Sequence, residues 1–215
     1  MFILLTPGIC SAQEEIRFDF EQSQEGWKIP DWAFYQGDHV AISTEVTAEE
    51  ASSGENSLQV DCEFPGNRWA AALVEFKVEK GLPFLGLEGY EEIKKLEYLD
   101  LTGYKNISVD VYLPRKAPAG LIQARIILTV GEGWLFTEMR YAVPLERGKW
   151  TTIQAKLDTP EDESSEWKGR KEKKLIHHQD KVRKIAIRIE YDAAPPHRIG
   201  RKYHGPIYID NLLIN

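Results

Sequence analysis

The sequence predicts an all-β fold, a jelly-roll β-sandwich of two antiparallel sheets, with one short helix in an insertion. Three observations predict it. Apolar and polar residues alternate with a period of two in segment after segment. Turn-forming groups such as EFPGN, PRKAPAG, VGEG and ERGK separate those segments at short spacing. Apolar residues make up 42% of the 215 residues, enough to fill the interior of one large β domain.

Residues 1–12 hold an apolar run from Phe2 to Leu5, a Pro-Gly break and small residues before a cut after Ala12. They read as the remnant of a secretory signal peptide ahead of a domain spanning 14–215, which places the protein outside the cell, at the cell surface or in the periplasm. IRFDFE then alternates Ile16, Phe18 and Phe20 against charged residues. A strand is expected in WAFYQ or in HVAIST, followed by SLQVDCEF and WAAALVEFKV. GYEEIKKLEYL spaces Tyr90, Ile93, Leu96 and Tyr98 as a short surface helix over 90–98. ISVDVYL, QARIILTV, WLFTEMRYAVPL, WTTIQAKL, KIAIRIEY and IYIDNLLI complete about ten strands. The run from Thr159 to Lys184 is nearly all charge and reads as a long loop.

Composition narrows the function classes. The net charge of −7 disfavours duplex nucleic acid and anionic membranes as partners. No stretch approaches the roughly 18 apolar residues of a membrane span. Cleavage after Ala12 leaves Cys62 as the one thiol, in phase with Leu58, Val60 and Phe64 and so a core residue, and neither a disulfide framework nor a thiolate metal site is available. His177 and His178 are adjacent and lack the i, i+4 spacing of a metal pair.

Strand phase also says what stands on the other face. With Val109 and Val111 inward, Asp110 and Tyr112 point out, and with Ala124 and Ile126 inward, Gln123 and Arg125 do. Trp134, Phe136 and Glu138 alternate with Leu135, Thr137 and Met139, and Arg188 and Glu190 with the isoleucines of KIAIRIEY. One shared face of Tyr112 and Trp134 as stacking rings, with Asp110, Gln123, Arg125, Glu138 and Arg188 as hydroxyl partners, suits a sugar. Trp32, Tyr35 and Trp69 supply further rings in loops at the sheet edges. The same alternation also describes an ordinary solvated sheet face, with Arg125 and Glu138 as a stabilising cross-strand pair.

Five segments, FDFEQSQEGW (18–27), SSGENSLQV (52–60), LDLTGYKNISVDVYLP (99–114), GKWTTIQAKLD (148–158) and GPIYIDNLLI (205–214), follow one another in a familiar order. Together they resemble the calcium-containing jelly-roll, or galactose-binding-like, carbohydrate-binding modules appended to plant-polysaccharide hydrolases. The resemblance implies non-catalytic binding of a β-glucan, mannan or xylan on a concave sheet face, with a structural Ca2+. It matches Glu21 to the family's acidic ligand after the DF pair, and Asp210 to the acidic ligand of the closing strand. The GENS turn would add a carbonyl or side chain near Glu55 or Asn56, and Asp19 its carbonyl, in keeping with the oxygen donors calcium takes. Two other classes stay open beside this one. An exported structural or filament-forming sandwich would self-associate, and a glycoside hydrolase or lyase would use Asp110, Glu138 or Glu190 as its carboxylate pair.

Overall fold

The computed structural model describes residues 15–78, 98–157, 166–169, 175–192 and 201–215. The signal-peptide segment 1–12 and all of the 90–98 helix except Tyr98 lie outside the described residues.

Among the described residues, thirteen strands form two antiparallel sheets. The first has the order β10 (Lys149–Lys156), β6 (Asn106–Leu113), β13 (Tyr203–Ile214), β4 (Ser57–Phe64), β3 (Ala41–Thr47), and β1 (Ile16–Phe18) pairs with the far end of β13. The second runs β11 (Trp167–Gly169), β8 (Leu135–Met139), β7 (Ile122–Val130), β12 (Val182–Tyr191), β5 (Ala70–Lys77), β2 (Trp27–Lys28), with β9 (Val143–Pro144) on β7. Sequence neighbours rarely pair, since β12 runs between β7 and β5, and β13 between β6 and β4. Such long-range pairing is the wiring of a jelly roll.

The period-two pattern puts one row of each strand into the space between the sheets. Val109, Val111, Ile153, Ile207 and Ile209 from the first sheet meet Ala124, Ile126, Leu128, Ile187 and Ile189 from the second, all at most 1% exposed. Trp27, Phe20, Phe64, Tyr191 and Trp167 fill the ends of this layer. Truncating a ring of this kind to Ala typically costs about 3–5 kcal/mol. Cys62 is fully buried, and burial drives its thiol far above the ordinary range, so it is the inert core residue expected.

Of the two places expected for the strand after β2, HVAIST carries it, as β3 from Ala41, while Asp31–Tyr35 of WAFYQ winds as a 3-10 turn behind Pro30. One expectation needs correction. The charged run is not a plain loop. Trp167–Gly169 adds an edge strand to β8, with Trp167 buried and its indole donating to the Lys156 carbonyl at 2.6 Å, and Leu175–Lys181 forms a 3-10 segment. One buried indole outweighs the polarity of the residues around it.

Candidate functional site: an aromatic trough on the second sheet

On the second sheet the outward rows are Ala71, Leu73 and Glu75 of β5, Lys184, Ala186, Arg188 and Glu190 of β12, Gln123, Arg125, Ile127 and Thr129 of β7, and Phe136 and Glu138 of β8. The register aligns them across the strands, with Glu75 opposite Ala186, Ala186 opposite Ile127, and Ile127 opposite Glu138. Leu73, Ala186 and Ile127 form a small apolar patch, at most 8% exposed and separate from the sandwich core. An apolar patch on an outward sheet face is a floor for something that packs on it.

That floor lies at the bottom of a trough of about 330 Å³. Trp32 from the 3-10 turn and Trp69 just before β5 stand over the β5 edge, and Phe136 stands on β8. They are 50%, 40% and 38% exposed, so they are open rings and not core. Their edges are lined by Gln36, Asp38 and His39 near Trp69, and by Glu75, Lys184 and Arg188 over the sheet. From β5 to β8 the trough crosses three strand spacings, roughly 14 Å, or about three pyranose widths. Burial lowers the His39 imidazole below its ordinary value, against the opposing pull of a hydrogen bond to the Ala41 backbone and the charge of Asp38.

Beside the floor the charged residues are locked together. Arg125 Nη1 donates to Glu138 Oε1 at 3.3 Å and to the Met139 carbonyl at 3.1 Å. Arg188 donates from Nη2 to Glu138 Oε2 at 2.6 Å and from Nε to Glu190 Oε1 at 2.9 Å. Lys168 reaches Glu138 at 3.0 Å, Arg125 Nε lies against Glu190, and Lys184 Nζ holds Glu75 at 2.7 Å. Arg125, Glu138 and Glu190 are at most 9% exposed. The charged tips beside the floor are therefore held in place by one another.

The structure does not bring the seven expected sugar-binding residues together. Gln123, Arg125, Glu138 and Arg188 do share the second sheet's outward face. Trp134 sits on the β7–β8 turn at φ 50°, its ring 4.6 Å from the Arg183 guanidinium and 5.8 Å from Lys184 Nζ. Asp110 and Tyr112 point out of β6, in the first sheet, on the opposite side of the sandwich. Tyr112 packs against Trp150 and Tyr208, with centroids 5.5 and 6.0 Å away. Asp110 accepts from Ser52 Oγ at 2.7 Å, Thr152 Oγ1 at 2.6 Å and Asn211 Nδ2 at 3.3 Å. Strand phase reveals which face of its own sheet a residue takes, but not which sheet the strand joins. The trough itself was only partly foreseen. Trp32 and Trp69 are among the rings the sequence singles out, whereas Phe136 is placed there only by strand phase, and His39, Leu73 and Glu75 are not singled out. The outward row of WAAALVEF, with Ala71 and Leu73 where a solvated face carries polar groups, was the available signal.

The oxygen-rich region expected to hold calcium lies where β1 and β13 meet. Asp210 is fully buried, and its Oδ2 accepts from Ser52 N and Ser53 N at 2.7 and 2.9 Å. Glu21 accepts from Glu55 N at 3.0 Å and Asn56 N at 3.4 Å, while Asn56 Nδ2 donates to the Glu21 carbonyl and Glu21 N to Asp19 Oδ1. Glu25 joins them from the neighbouring turn, its carboxylate accepting from Phe20 N at 3.3 Å. Burial, and after it the charges of Asp19 and Asp210, push the Glu25 carboxyl up to about 7. The chemistry of the donors and their mutual repulsion suit a hard cation. Their aim does not yet do so, because Glu21 and Asp210 face backbone N–H groups, and no three Asp, Glu, His or Cys side chains among the described residues converge on one point.

The fold defines the chain as a jelly-roll β-sandwich. In particular it superimposes on a CBM27-1 of Caldicellulosiruptor saccharolyticus, solved in complex with mannohexaose, with a TM-score of 0.58 at 16% identity over 95% of this chain and 98% of that one. A CBM28 described as specific for non-crystalline cellulose matches with a TM-score of 0.54 at 14% identity, over 92% of both chains. No protein-family model matches the sequence, and neither does any curated protein. Likeness at this identity establishes the fold, and function has to be argued from the site.

Proposed function

We propose that the protein binds a β-linked polysaccharide of the glucan, mannan or xylan class, without cleaving it, in the trough on the second sheet. One observation carries this reading: three half-open rings flank an apolar floor whose neighbouring charged tips are already fixed. Pyranose C–H faces pack on Trp32, Trp69 and Phe136, and hydroxyls meet Asp38, Glu75, Lys184 and Arg188. Preformed open troughs with few anchors give modest affinity. The three carboxylates expected of a hydrolase are engaged otherwise, Glu138 and Glu190 with guanidinium groups and Asp110 with three donors on the other sheet. The solved neighbours are also binding modules, one of them holding mannohexaose.

Calorimetric titration with cello-, manno- and xylo-oligosaccharides tests the reading. Saturable binding without reducing-sugar release supports it. Release of sugar makes the protein an enzyme, and concentration-dependent assembly with no binding makes it a scaffold.

A structural calcium is part of the same proposal, with the carboxylates of Glu21, Glu25 and Asp210 turning to it from the backbone N–H groups they accept from here, and with the Asp19 carbonyl and the turn at Glu55 and Asn56 completing the oxygen shell. The repulsion among Asp19, Glu25 and Asp210 supports it, since a divalent cation removes that cost. Export of the domain is proposed on the same terms. Among the described residues no helix is long and apolar enough to cross a membrane.

A further inference from the structure

We propose that the glycan bound here carries carboxylate groups, and that Arg115, Arg147 and Lys149 form a subsite for a uronic-acid residue beside the trough. This inference rests on the reading of the trough as a glycan site. A second cleft, of about 650 Å³, opens between the turn after β6 and the β9–β10 connection, and these three cations line it with Glu146 and Pro144. Arg115 and Arg147 have no carboxylate partner among the described residues. Arg147 Nη1 reaches only the Ala117 carbonyl, at 3.4 Å. Lys149 pairs with Glu146 at 2.6 Å, but both side chains are 68% exposed, and such a pair yields readily to a better anion. In a chain of net charge −7, three cations against the single acid Glu146 at one cleft are a local reversal of sign.

The cleft is also shaped around an arginine. Gly148 has φ +70°, and a Cβ there would come within 2.5 Å of Arg115 Cγ. The absent side chain lets the Arg115 stem lie across the turn. The guanidinium at the end of that stem is a planar fork that matches a carboxylate in two-point geometry.

The register connects cleft and trough. Ala71, in the trough wall beside His39, is opposite Glu190, Glu190 is opposite Gln123, and Gln123 is opposite Pro144 at the lip of the cleft. This row crosses the sheet in three strand spacings, roughly 14 Å. A chain of sugars stacked on Trp69 and crossing this row reaches Pro144, and from there the chain turns to the edge of the first sheet, where Arg147 bridges to Leu113.

The test uses pairs of oligosaccharides identical except for their uronate groups, the neutral member made by carboxyl reduction, titrated calorimetrically against the whole chain. The carboxylated member is expected to bind roughly tenfold tighter at low salt, with the advantage shrinking as salt screens it. The double variant Arg115→Gln, Arg147→Gln should lose that advantage and keep its affinity for the neutral member, which also shows that it is folded. Equal affinities in the unaltered protein, an advantage that survives in the double variant, or tighter binding of a sulfated than of a carboxylated glycan would overturn the subsite. In those cases binding of the neutral member leaves the trough reading intact. Absence of binding by either member sinks both.

Discussion

Asp110 on β6 and Asp210 on β13 stand directly opposite each other, and both carboxylates are buried. Like charges at this position repel, yet each is satisfied by donors from the same short loop. Ser52 gives its hydroxyl to Asp110 and its backbone N–H to Asp210, and Ser53 N–H adds a second bond to Asp210. The pair therefore fastens the segment between β3 and β4 onto the first sheet. Asp210→Ala leaves these backbone donors without their acceptor and should cost about 2–3 kcal/mol in denaturant melts. Asp110→Asn, which keeps an acceptor and removes the repulsion, should cost clearly less. Equal losses would show that the two residues do not act as this latch.

Glu25 ties stability to pH. Its carboxyl is raised from 4.5 to about 7, chiefly by burial. A raised acid binds its proton more tightly folded than unfolded, so the stabilisation is complete below about pH 4.5 and is lost as pH rises through 7. After discounting for partial exposure the loss is about 1–2 kcal/mol. Melting temperature measured in chelator should fall between pH 5 and 8, and Glu25→Gln should flatten that slope. Calcium should restore the loss at pH 8 in the unaltered protein. A pH slope unchanged by Glu25→Gln would contradict the assignment.

Arg125 is the hub of the buried network, reaching Glu138, Glu190 and the Met139 carbonyl. Arg125→Ala leaves Glu138 and Glu190 to Arg188 and Lys168 at low exposure and should destabilise by about 1–3 kcal/mol. Combining Arg125→Met and Arg188→Met with Glu138→Gln and Glu190→Gln removes the four charges together and should recover most of that loss by chemical denaturation. If the quadruple variant is no more stable than Arg125→Ala, packing and not charge is what Arg125 supplies.

Much of the fold was legible from period two. The inward rows of SLQVDCEF, ISVDVYL, WTTIQAKL and KIAIRIEY are the buried rows observed, because a strand exposes alternate residues whichever sheet it joins. Sheet membership was not legible. Tyr112 and Arg125 both point away from the core, but β6 pairs with β10 and β13 while β7 pairs with β12 and β8. That choice is made by long-range pairing, which no local pattern encodes. Glu25 was equally hidden, because its importance comes from a turn with φ 48° that brings it beside Asp19 and Asp210. Trp167 was hidden for the opposite reason, as a lone ring in a charged run that earns its strand by burial.

The trough on the second sheet is tested most directly by affinity electrophoresis of the unaltered protein, Trp69→Ala and Tyr112→Ala through gels containing β-mannan, xylan or β-glucan. Retardation of the unaltered protein and of Tyr112→Ala, with loss of at least about tenfold in affinity for Trp69→Ala, is the expected result. Retardation that survives Trp69→Ala and disappears with Tyr112→Ala would move the site to the first sheet and contradict the trough as the binding surface.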